Sequence, residues 1–174
     1  LAGPTSPSAA ACDMSGPALK AAVDPLVAVD IAVIAPAGNS GLSGSLSAPG
    51  CLSSVVSVGA VNASDVVASF SNSATFLDLL APGAPVSSSV PGGGFLALSG
   101  TSMATPHVAA SWALIRSVAD PSTTNADILA TLASTGLPIT DSFGVTKPRI
   151  ETWGAVASYA PVVPIGSATP GLLA

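Results

Sequence analysis

The chain has 174 residues, 49% of them hydrophobic and only 7% charged, with a net charge of −5. That length suits one domain with a real core, and the apolar excess excludes a solvated disordered chain. Four Lys and Arg in total cannot line a nucleic-acid groove or grip an anionic membrane. Residues 1–11 read as a Pro/Ser/Ala loop. The chain opens Leu1-Ala2-Gly3 with no initiator Met and no signal-peptide pattern, so a piece of a longer protein or a processed product is expected. Pro17 suits the first position of a helix, and Leu19, Ala22, Val23, Leu26 and Val27 then repeat at helical spacing. Pro25 falls inside that pattern and is expected to kink or break it.

Residues 31–35 form a β-branched apolar run that predicts a buried strand, ended by the turn residues Gly38-Asn39-Ser40-Gly41. Asp30 interrupts the most apolar stretch, residues 26–37, which falls short of the roughly 18 apolar residues of a membrane span. Residues 43–50 read as loop, 55–61 as a second strand and 77–81 as a third, stopped by Pro82-Gly83. Pro91-Gly92-Gly93-Gly94 predicts a flexible turn and lacks the Lys-Ser/Thr ending of a phosphate-binding loop. A run at 95–99 leads into Gly100, and a helix is predicted from about 102 to 118. Another is predicted near 125–134, with Gly136 as its cap, and residues 161–174 read as a Pro/Gly-rich tail or linker. Apolar strands alternating with helices predict an α/β fold with a mostly parallel central sheet flanked by helices.

Two cysteines, Cys12 and Cys51, with a single histidine fit no common zinc spacing. They read either as two buried thiols or as one disulfide. The second would contribute roughly 4 kcal/mol by loop closure and imply an oxidising, extracellular setting.

The segment Gly100-Thr101-Ser102-Met103-Ala104-Thr105-Pro106-His107 carries the chemistry. Glycine lets a backbone turn sharply and approach a substrate, and it leaves Ser102 at a helix N-terminus, where unpaired N–H groups favour negative charge. That suits a hydroxyl that must act as a nucleophile beside a developing oxyanion. An ordinary N-cap serine would look the same in isolation. His107 is no base for it: five helical residues place it about 140° round the axis and ~7.5 Å along it.

Gly-Thr-Ser-Met-Ala-Thr-Pro-His-Val resembles the nucleophile motif of the subtilisin-like peptidases. Ala37-Gly38-Asn39-Ser40-Gly41 resembles that family's oxyanion-hole segment. Val56-Ser57-Val58-Gly59-Ala60, Ala68-Ser69-Phe70-Ser71-Asn72 and Leu80-Ala81-Pro82-Gly83 match further landmarks in the family's order, so the resemblance spans roughly residues 12–155. It implies the C-terminal half of a three-layer subtilisin-like domain over residues 12–160. It also implies a secreted serine endopeptidase that cleaves polypeptides through an acyl-enzyme, and pairing of Cys12 with Cys51. By position, Ser102 matches the nucleophile and Asn39 the side-chain oxyanion donor, with the Ser102 backbone N–H as second donor. Thr101 would support the oxyanion, Pro36, Ala37 and Gly38 would line the primary specificity pocket, and oxidation of Met103 should impair the site.

In this family the triad runs Asp, His, Ser along the chain, so the resemblance places both Asp and His before residue 1. None of Asp13, Asp24, Asp30 or Asp65 sits in the family's catalytic-Asp motif. The chain alone is therefore expected to be inactive, with the upstream half of the same domain as its partner and an open, apolar sheet edge facing it. Calcium often stabilises the family, but no ligand for it, and no other metal or cofactor, is legible. Pro25, Pro36 and Ala110 depart from the family's usual residues and motivate an alternative, a non-catalytic half that binds peptides or a partner chain. An esterase of the α/β-hydrolase type would need a histidine well after its serine, and none follows His107.

Overall fold

The structure, a computed structural model, describes residues 3–159. In chain order the elements are β1 (Thr5–Ser6), α1 (Ala9–Ser15), α2 (Pro17–Ala28), β2 (Ile34–Pro36), β3 (Leu46–Ser47), β4 (Val56–Asn62), β5 (Leu79–Ala84), β6 (Val86–Ser89), β7 (Phe95–Leu98), α3 (Thr101–Val118), α4 (Asn125–Thr135), β8 (Leu137–Thr140), β9 (Thr146–Arg149) and α5 (Thr152–Ala157). A five-stranded sheet runs β2-β4-β5-β9-β8. It is parallel except for the antiparallel β8–β9 pair, so the expected mostly parallel α/β sheet is present.

Side chains alternate across a strand, and β4 and β5 use both faces. Val58, Ala60, Leu79 and Ala81 pack with Ala104, Val108, Trp112 and Ile115 of α3 and with Ile128 and Leu132 of α4. Val61 and Leu80 face the other way, into a second core with Cys12, Val23, Cys51, Leu52 and Leu77. Helices therefore cover both faces, as a parallel sheet requires. Cys12 of α1 is disulfide-bonded to Cys51, with 5.8 Å between their Cα atoms.

The reading of residues 1–11 as loop is corrected: β1 pairs with β3, and Ser8 caps α1 by accepting from the Ala11 N–H at 3.1 Å. Pro25 does not break α2. The carbonyl it deprives of a bond belongs to Ala21, on the exposed side of the helix, where water can satisfy it. The strand expected at 31–35 is shorter and later, because its partner β4 begins only at Val56. Pro82-Gly83 does not stop β5. The strand meets β9 only at Leu80, so the N–H that Pro82 lacks faces an open side. Gly136 caps α4 as expected, in an extended conformation. The tail at 161–174 and residue 160 lie outside the described residues.

Candidate active site

β2 ends at Pro36, and the chain then leaves the sheet as the segment 37–42. α3 begins just past Gly100, which is extended and buried, at φ 162°. A Cβ at Gly100 would lie 3.4 Å from Asn39 Nδ2, so glycine here keeps the approach to that amide open. Ser102 is the second residue of α3 and its side chain is exposed, between the buried Thr101 and Ala104.

Thr101 joins the two segments. Its N–H donates to Asn39 Oδ1 at 2.8 Å and its hydroxyl donates to the same oxygen at 2.9 Å. Its Oγ1 in turn accepts from the Gly38 N–H at 3.3 Å. A backbone N–H can only donate, so the oxygen of the Asn39 amide must face Thr101 and the NH2 must face away. Asn39 Nδ2 has no hydrogen-bond acceptor among the described residues. Nor does the Ser102 backbone N–H, one of the first-turn groups that a helix leaves unpaired. Two unpaired donors beside one exposed hydroxyl can receive an oxyanion.

A pocket of about 160 Å³ adjoins this pair, lined by Pro36, Gly38, Asn39, Ser47, Pro49 and Ser102 among others. Pro36 and Gly38 line this pocket, while Ala37 is fully buried in the core beneath. No ionisable side chain lines it. On the other side of Ser102, a groove of about 410 Å³ runs between α3 and the β6–β7 hairpin, lined by Met103, Pro106, His107, Ala110 and residues 86–88. His107 Nδ1 donates to the Met103 carbonyl at 2.9 Å. The only histidine of the sequence is thus tied to its own helix.

Sequence reasoning missed the part played by Asn72, which is fully buried and bonded to segment 37–42. A buried Asn needs several partners, and that was the available signal. It also missed the β8–β9 hairpin, whose loop reaches the same region through a hydrogen bond from the Ser73 hydroxyl to Asp141. Among the described residues no three His, Cys, Asp or Glu side chains cluster, and no residue is assigned to calcium. None of the described helices is long and apolar enough to cross a membrane.

The chain matches the Subtilase family over residues 3–154. It is 46% identical over 141 residues to subtilisin E of Bacillus subtilis (strain 168), a match that covers 79% of this chain and 37% of that protein. Among solved structures it is similar to a cold adapted subtilisin-like serine proteinase, with a TM-score of 0.71 and 33% identity over 78% of this chain and 50% of the other. A protease from Pseudoalteromonas arctica PAMC 21717 gives a TM-score of 0.74 at 28% identity, over 81% of this chain and 46% of the other. The chain therefore spans well under half of the curated relative's length. The ordered motifs, the parallel sheet and the serine at the start of α3 have one common explanation: this chain belongs to the subtilase family.

Proposed function

We propose that this chain is the nucleophile-bearing part of a secreted serine endopeptidase. In this reading Ser102 attacks the scissile carbonyl of a polypeptide, and the oxyanion that forms is received by Asn39 Nδ2 and the Ser102 N–H. The two unpaired donors beside an exposed serine, oriented by Thr101, are the observation that carries it. An uncharged amide suits the role because it donates without titrating.

A serine peptidase also needs a base to take the hydroxyl proton and to return it to the leaving amine. His107 is committed to the Met103 carbonyl, so the base and its carboxylate partner come from a preceding segment of the same domain. The groove beside Ser102 is open to receive it. The pocket beside Asn39 takes the substrate side chain that precedes the scissile bond. The disulfide fits an extracellular location.

The test is reconstitution. The chain alone should hydrolyse no peptide substrate above background. Supplied with the segment that precedes it, it should gain peptidase activity, and Ser102→Ala should lower that activity by about 10⁶, the loss known for this family's serine. Activity that survives Ser102→Ala would overturn the assignment. A reconstituted domain that binds peptides without cleaving them would favour a non-catalytic binding module.

A further inference from the structure

We propose that Asn72 is a positioning residue for the oxyanion site, holding both flanks of Asn39 at once. This rests on the function proposed above for its catalytic consequence, though not for the clamp itself. Past the Ala37 N–H, which still donates to the Val58 carbonyl of β4 at 2.9 Å, the chain has left the β-ladder, so its backbone groups need other partners. Asn72 supplies four of them. Its Nδ2 donates to the Ala37 carbonyl at 3.1 Å, and its Oδ1 accepts from the Ser40 N–H at 3.0 Å and the Leu42 N–H at 3.1 Å. Its own N–H donates to the Gly38 carbonyl at 3.0 Å. Residues 37, 38, 40 and 42 are thus fixed from one buried side chain and its peptide, and Asn39 is the exposed residue left between them.

The same Nδ2 donates to Ser47 Oγ at 3.2 Å, so the clamp extends to a residue lining the far wall of the 160 Å³ pocket. The fit is close. Gly38 has φ 107°, and a Cβ there would lie 2.4 Å from Asn72 Nδ2 and 2.2 Å from Ser47 Oγ. Only an amide both donates and accepts in this geometry. An aspartate would set a carboxylate oxygen against the Ala37 carbonyl, and a serine is too short to span both strands of the contact. A fully satisfied buried network of this kind rigidifies what it touches. An oxyanion donor gains from rigidity, because it must already be in place when charge develops.

The test has two arms. In the first, backbone hydrogen exchange is measured on the full chain carrying Asn72→Ala. The Ser40 and Leu42 amides should exchange at least about tenfold faster, with Leu132 in α4 unchanged. Unchanged exchange at Ser40 and Leu42 overturns the clamp whether or not the protein is a peptidase. In the second, kcat and KM are measured in the active peptidase that contains this chain. Asn72→Ala should lower kcat about 10–100-fold with KM within about threefold, and should cost less than about threefold in an Asn39→Ala background. Equal losses in both backgrounds would mean that Asn72 does not act through Asn39. Should Leu132 also exchange faster, Asn72→Asp replaces the alanine, since it keeps the acceptor and loses the donor, and the same two-background comparison decides. A parent with no activity defeats the proposed function, and the exchange arm then decides the clamp alone.

Discussion

Two segments flank Ser102, and they are built in opposite ways. Segment 36–42 is held by Thr101, Asn72 and the edge of the sheet, through bonds to the backbone of residues 37, 38, 40 and 42 and to Asn39 Oδ1. The β6–β7 hairpin, residues 86–98, is half-buried to exposed along its whole length. Phe95 is 80% exposed, and the glycines of its turn have nothing within 4 Å of where a Cβ would stand. The first segment is finished by this chain's own residues. The second has an apolar surface and a groove that the described residues leave uncovered. A site that must stabilise charge needs the first kind of construction, and a surface with room for a further segment has the second.

The largest effect should come from the disulfide, which joins α1 to Cys51, two residues past the pocket wall at Pro49. Replacing both cysteines by serine should lower the unfolding free energy by about 4 kcal/mol, read from denaturant unfolding. A loss below about 1 kcal/mol would mean that this end of the molecule is rigid without it. Next, Asn39→Ala in the active peptidase should lower kcat by about 10²–10³, the loss known for this family's oxyanion asparagine, with KM little changed. A change confined to KM would make Asn39 a ground-state contact and remove the reason for the rigid segment.

A smaller effect concerns pH. The Asn125 backbone N–H, and after it the Arg116 guanidinium, hold the Asp30 carboxyl below the usual carboxylate range. A carboxylate whose pKa is lowered on folding stabilises above its unfolded value and loses that contribution as pH falls through its folded value. Asp30→Asn should therefore destabilise the chain at neutral pH and flatten the fall in its stability below about pH 4. The two proteins should converge in strong acid. Equal stability at pH 7 would sink this account of how α2 is joined to α4. The smallest effect belongs to the hairpin. Phe95→Ser should change the stability of this chain by no more than about 0.5 kcal/mol, because the ring contacts solvent. A larger loss would show that the hairpin packs on its own chain.

What the sequence disclosed divides along the same line. Gly100 to Val108 was legible locally as a strand run, a glycine and a serine opening an apolar helical pattern, and the serine's chemistry through the resemblance, because an N-cap serine looks the same in isolation. Asn39 was legible only through its resemblance to a known motif, since a turn asparagine between glycines has no chemistry of its own until Thr101 fixes its oxygen. The role of Asn72 was hidden because all the partners of its side chain lie 25 or more residues away. β8 and β9 were missed because Pro138 and Pro148 sit opposite each other within them, and proline ordinarily argues against a strand. α1 was missed because its run of alanines after Ser8 has little apolar periodicity. Pro25 and Pro82 misled for one shared reason: each faces an exposed side, where a missing N–H costs little.

Ser102 can be read directly by covalent labelling with a fluorophosphonate probe, followed by intact mass and peptide mapping. No label is expected on this chain alone, and a single label on Ser102 once the preceding segment is present. Labelling of Ser102 in the chain alone would contradict the proposed function, because a base would then be acting from within these residues. So would a reconstituted domain that stays unlabelled.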